Sequence, residues 1–213
     1  MSFNTDLYDD TLASVLTLVN RPDIQDEIEM HFKTATTSAH LSDKYPRDLV
    51  VKPIMLPNQV AAYTSALDIT NSLPRIRDIS SIRALDSTGA PLETPRIEVV
   101  EIDDIYDNQY NTIKNDIAYL GGRTLNIRTS VGAYGFLVEY YEAPNLARER
   151  YDSWIAQLNP ALIIYWAAFL TWNGNGNEER ANRTMKIIHG DPRNGVDGLL
   201  AELRANYAFS KAR

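Results

Sequence analysis

Apolar positions in this chain follow a helical period at both ends and a period of two in between. Tyr8, Leu12, Val15, Leu16 and Val19 recur at the i, i+4, i+7, i+8, i+11 spacing of one helix face. Asn20-Arg21-Pro22 stops that helix, and Pro22 suits the first position of another. Asp23, Asp26 and Glu27 fill the first turn of this second helix, where acids complement the helix dipole. Ile24, Ile28, His31, Phe32 and Ala35 repeat the face spacing, and the polar stretch Thr36-Thr37-Ser38 is where the pattern predicts the helix to end.

From about residue 45 the period changes. Leu49-Val50-Val51 opens an extended run punctuated by Pro46, Pro53 and Pro57, the composition of an edge strand or an extended arm. Ala61, Tyr63, Ser65, Leu67 and Ile69 alternate with smaller or polar neighbours, and Thr88-Gly89-Ala90-Pro91 reads as a turn between two strand-like stretches. Residues 116–120, the pair Gly121-Gly122 and residues 123–129 read as a hairpin closed by two glycines, with Leu125 and Ile127 on one face. Tyr134, Phe136, Val138 and Tyr140 give a further strand an aromatic face, and Glu142-Ala143-Pro144 ends it.

Helical spacing then returns. Asn159 before Pro160 is an N-cap followed by proline at the first helical position. Between Ala161 and Trp172 only Thr171 is not apolar, which predicts a helix covered on nearly all sides. A glycine-asparagine turn at 173–177 leads into a helix through Ala181, Met185 and Ile188, broken at His189-Gly190-Asp191-Pro192. Val196, Leu199, Leu200, Leu203 and Tyr207 mark a final amphipathic helix. This order predicts an α+β fold. Residues 1–45 and 145–213 are expected to form a helical bundle from both ends of the chain, and residues 46–144 an inserted antiparallel β module.

Composition narrows the chemistry. With 44% apolar and 23% charged residues the chain has the makings of a packed core. The absence of cysteine removes disulfides, thiolate metal sites and a cysteine nucleophile, and fits a reducing compartment. The segment at residues 1–6 has neither the basic nor the apolar stretch of a secretory signal, and the apolar run 161–172 is about half a membrane span. No membrane partner is expected. Net charge is −7, with 3 basic and 8 acidic groups in residues 1–45 against 9 and 7 in residues 145–213. That polarity is either solvated surface or the meeting of opposite ends on neighbouring subunits; no basic patch of a nucleic-acid reader stands out.

Candidate active-site residues are sparse. His31, His40 and His189 lack metal-ligand spacing, and no P-loop, nucleophile elbow or dinucleotide fingerprint occurs. Glu101, Asp103, Asp104 and Asp107 are the densest acidic cluster, either a solvated strand end or a cation site lacking the glycine and ligand order of a calcium loop. No catalytic residue, metal or cofactor is assigned. The 12 tyrosines and 3 tryptophans suit core or interface equally.

The order of elements and the run Leu158-Asn159-Pro160-Ala161-Leu162-Ile163-Ile164-Tyr165-Trp166-Ala167-Ala168, after the aromatic strand at 136–144, resemble the head-to-tail adaptors of tailed bacteriophages. These are also called connectors or upper tail-tube proteins. The break at 189–194 and the long β insertion depart from the pattern. The resemblance implies a structural virion protein without enzymatic activity, present at the head–tail junction and, during assembly, in the host cytoplasm. It implies a homo-oligomeric ring of twelve beneath the portal protein, joined on its other side to a tail or nozzle protein and lining a channel for duplex DNA. The alternatives are another neck or tail component, such as a stopper or tube-end protein, and a metal-dependent hydrolase built on the acidic cluster. Residues 207–213 read either as a frayed terminus or as a docking arm for the portal or a neighbouring subunit. Tyr207, Phe209, Lys211 and Arg213 would be its anchors and cations.

Overall fold

A computed structural model describes residues 3–63, 65–107 and 112–207. In chain order the elements are α1 (Phe3–Val19), α2 (Gln25–Leu41), β1 (Leu49–Val60), β2 (Ser65–Asp68), α3 (Ile69–Ser72), β3 (Ile76–Leu85) and β4 (Glu98–Val99). Then come β5 (Tyr106–Asp107), β6 (Thr112–Ile113), β7 (Ile117–Gly121), β8 (Thr124–Arg128) and β9 (Ala133–Glu142). The distal part holds α4 (Trp154–Leu158), α5 (Pro160–Gly174), α6 (Glu178–His189), β10 (Gly190–Asp191), β11 (Val196–Asp197) and α7 (Leu199–Tyr207). The chain divides into two compact units. One comprises the described residues through Asp48 and from Ala143 onward; the other is Leu49–Glu142.

The fold is α+β, but the expected helical bundle closed by both chain ends, with one antiparallel module inside it, is not what forms. α4 has five residues and α7 nine, and the strand pair β10–β11 separates α6 from α7 where the sequence reading placed a simple break. Strands elsewhere are spread over a three-stranded sheet β1-β9-β3, a four-stranded sheet β2-β8-β7-β4 and the pair β5–β6. β4 runs parallel to β7, so the module is not purely antiparallel.

In the first unit Tyr8, Leu12, Val15 and Val19 are all buried, on the face the spacing assigned to them. α2 runs past the expected stop at 36–38 to Leu41, because Thr36 and Thr37 turn their hydroxyls back onto the carbonyls of Phe32 and Lys33 (3.0 and 3.1 Å). α5 packs against α1, α2 and α6. It is covered on nearly all sides, as expected: Leu162, Ile163, Ala167, Ala168 and Thr171 are buried, and Tyr165, Phe169 and Trp172 are partly buried against the same core.

Tyr8, Phe32 and Tyr151 meet at the centre of this core, Tyr8 edge-on to the other two, with centroids 5.0 to 5.5 Å apart. Burial pushes the Tyr151 phenol up to about 12, and burial together with Glu29 raises Tyr8 as well. Both neutral phenols are favoured by folding, so their contribution is complete below pH 10; the Tyr151 share is lost as the pH rises through about 12 and the Tyr8 share higher still. For Tyr151 alone this is on the order of 2–3 kcal/mol. The thermal midpoint is expected to fall steeply between pH 10 and 12, and Tyr151→Phe should flatten that fall; an unchanged alkaline limb in the variant would count against it.

In the second unit β9 is the central strand, with β1 and β3 antiparallel on either side. Phe136, Val138 and Tyr140 are buried on its inner face with Ile79, Ile82 and Ala84. β1 is an edge strand, which accommodates Pro53 and Pro57. Val50, Ile54 and Leu56 turn inwards, while Val51 and Met55 are 53% and 51% exposed. The glycine hairpin forms with Gly121 paired to Thr124, so the turn is Gly122-Arg123 rather than Gly121-Gly122. Gly122, at φ +63°, takes the left-handed position. The expected strand over 61–69 shortens to β2, and Ile69 begins α3 instead.

Candidate functional site

One arrangement of chemically capable groups stands out, and no spacing announced it. His40 lies in the last turn of α2, Asp48 ends the 3-10 turn Pro46–Asp48, and Ser153 is the N-cap of α4. His40 Nδ1 is 2.9 Å from Asp48 Oδ1, and Nε2 is 3.0 Å from Ser153 Oγ. Asp48 also accepts a hydrogen bond from Trp154 Nε1 at 2.7 Å. One ring nitrogen of His40 thus meets the Asp48 carboxyl and the other the Ser153 hydroxyl. That is the order of groups in a serine hydrolase: nucleophile, base and orienting acid.

Surroundings decide against nucleophilic catalysis here. Ser153 is 0% exposed, and its Oγ already accepts the Ala156 N–H at 3.1 Å in capping α4. An acyl-transfer site needs an open nucleophile with oxyanion donors about 3 Å from the reacting atom. Trp154 instead closes the group from one side, its ring edge-on to His40 at 5.6 Å. Trp154 in turn meets Tyr45 and Tyr207, at 5.3 and 5.5 Å, and the Arg47 guanidinium at 5.6 Å. The three polar side chains tie α2, the 3-10 turn and α4 together as a satisfied buried network.

The open feature of this unit lies elsewhere. α6, the β10–β11 hairpin and α7 enclose a groove of about 990 Å³. Ile187 on α6 and Val196 on the hairpin are 41% and 57% exposed there, with the exposed acids Asp197 and Glu202 beside them. Lys186 is neutralised by Asp191 at 3.2 Å, and this contact, with Asn194, holds the Asp191 carboxyl below the usual range. Two glycines set the wall. A Cβ on Gly198 would run into the Gly190 N and the His189 carbonyl carbon, and one on Gly190 into the Val196 carbonyl. Gly190 itself sits at φ +87°.

The residues singled out in the sequence scatter. Tyr207 is the last residue of α7, its ring on Trp154 and under Arg47 in its own unit. Phe209, Lys211 and Arg213 lie outside the described residues. Glu101, Asp103 and Asp104 are exposed at the turn Ile102–Asp104, and the Asp107 side chain is not among the described ones. Among the described residues no group of three or more His, Asp or Glu is placed to hold a metal ion. His31 meets Thr171 Oγ1 at 3.1 Å, and His189 lies against the Trp166 ring. Among the described residues no helix is long and apolar enough to cross a membrane. Neither a family model nor a curated protein matches the sequence.

Proposed function

We propose that this chain is a structural adaptor of a tailed-phage virion. It forms a ring beneath the portal, joins the portal to the tail and lines the passage for DNA. The observation that carries the reading is a pair of unlike apolar surfaces, one on each unit. The outer face of β1 presents Val51, Pro53 and Met55; the α6–hairpin groove presents Ile187 and Val196 among acids. A ring built head to tail needs two different complementary patches on each subunit. A net charge of −7 suits a channel that duplex DNA passes without sticking, since cationic contacts are what generate affinity for phosphate.

Light scattering on the purified chain, alone and with the phage portal, tests this reading. The expected masses are a monomer alone and a ring of about twelve chains on the portal, because weak lateral contacts add up when a template gathers them. A chain that stays monomeric and unbound in the presence of the portal overturns it.

A further inference from the structure

We infer that a cavity where the ends of α1 and α5 meet the start of α6 binds the phosphate or carboxylate group of a small molecule. It lies wholly within the first unit, and the site is independent of the assembly proposed above. The cavity holds about 290 Å³. Arg21 and Arg180 line it together with Asn20, Asn175, Asn177 and the Trp172 ring. Among the described residues no acid lines it, although the chain as a whole carries a net charge of −7.

The acceptors around this cavity are mostly spent, and the donors are not. The Asn20 N–H takes the Leu16 carbonyl at 2.8 Å, and the Asn177 N–H takes that of Trp172 at 2.8 Å. Asn175 covers the Thr171 carbonyl twice, with its backbone N–H at 3.1 Å and its Nδ2 at 2.8 Å. Asn177 Oδ1 accepts the Arg180 N–H at 3.2 Å in capping α6, which leaves the Nδ2 of that amide to donate. Asp23 occupies the Arg21 fork, meeting Nε and Nη2 at 2.8 Å each. Arg180 has no such partner. Its guanidinium lies 5.6 Å from the Trp172 ring centroid and meets no carboxylate among the described residues.

The Trp172 Nε1–H completes the set. It is buried and meets no acceptor among the described residues. Buried donors are nearly always paired, so an unpaired one marks where a bound species supplies the acceptor. Guanidinium and indole can only donate, and the guanidinium brings the charge. The acceptors that remain, the amide oxygens of Asn20 and Asn175, are neutral, and Arg180 repels a cation. The matching ligand group is therefore anionic and rich in acceptor oxygens.

Indole N–H resonances read this site. The chain has three tryptophans, Trp154, Trp166 and Trp172, and Trp172→Phe identifies the resonance of the last. The isotope-labelled full chain is titrated with inorganic phosphate and, separately, with acetate, against chloride at constant ionic strength. A saturable shift of the Trp172 resonance is expected with at least one of them, which identifies the group, while those of Trp154 and Trp166 stay in place. Arg180→Gln should raise the dissociation constant about tenfold, because it removes the cation and keeps the backbone N–H that Asn177 caps. Arg183→Gln, on the same helix but outside the cavity, should leave it unchanged. Absence of a saturable shift with either anion overturns the inference. So does binding that Arg180→Gln leaves undiminished, or that Arg183→Gln weakens equally, since both are marks of general charge screening.

Discussion

Substitution of His40 by alanine is expected to destabilise the fold by about 3–5 kcal/mol. The imidazole is buried and bridges Asp48 and Ser153, at 2.9 and 3.0 Å. Its removal takes one hydrogen-bond partner from a carboxylate that is itself buried and that Trp154 Nε1 also meets. It also opens a void between α2 and α4. The asymmetry of hydrogen bonding sets the size: losing one partner of a buried charged group costs far more than the bond contributes when made. Ser153→Ala should cost less, about 1–2 kcal/mol, because it removes a cap and a neutral hydroxyl but leaves the His40–Asp48 contact. Denaturant unfolding of both variants checks the order. A His40→Ala loss below about 1 kcal/mol would show that the network is not the tie described here. A fluorophosphonate probe offers a second reading: no label is expected on Ser153, since its hydroxyl has no exposed surface. Stoichiometric labelling abolished in Ser153→Ala would reopen the catalytic interpretation.

What was legible in the sequence follows the range of the physics involved. The face of α1 and the pair Leu125 and Ile127 on β8 were readable because periodicity within one element decides them. α2 outran its expected end because three polar residues in a row look like a stop, yet threonine can satisfy its hydroxyl on its own helix. The cover of α5 was readable because an all-apolar helix has no side that solvent favours, and none of residues 161–172 is exposed. The bundle expectation failed because β10 and β11 are two residues each, too short to carry a period, and because the parallel partner of β7 cannot be told from an antiparallel one by alternation. The network of His40, Asp48 and Ser153 was invisible in principle. Its members are 8 and 113 positions apart, and only the packing of α4 on α2 brings them together. One local signal was there, Ser153 as the cap of a short helix, but it points to α4 and not to His40.

The groove depends on two glycines, and Gly190→Val is expected to destroy it. Gly190 sits at φ +87° and ψ 177°, a region that is almost exclusively glycine's, so any side chain there carries about 1–3 kcal/mol of backbone strain. Space is the second cost. A Cβ at this position meets the Val196 carbonyl and the backbone of Gly198, and neither is the yielding tip of a side chain. Together the two effects reach about 3–5 kcal/mol if the hairpin stays in place. β10 and β11 are held by only two residue pairs, so the chain has a cheaper way out: the hairpin detaches and α6 loses its C-terminal cap. Measured global destabilisation is then capped at the free energy of that local opening, while amide exchange across residues 190–198 accelerates by orders of magnitude. Gly195→Val separates geometry from crowding. Gly195 is also at positive φ, +66°, but nothing lies within 4 Å of its missing Cβ, so strain of about 1 kcal/mol and an intact hairpin are expected. Hydrogen exchange on the two variants decides between these accounts. Equal effects would mean that backbone conformation alone governs the hairpin. Loss of protection confined to Gly190→Val would place its stability in the contact between the Gly190 and Gly198 backbones.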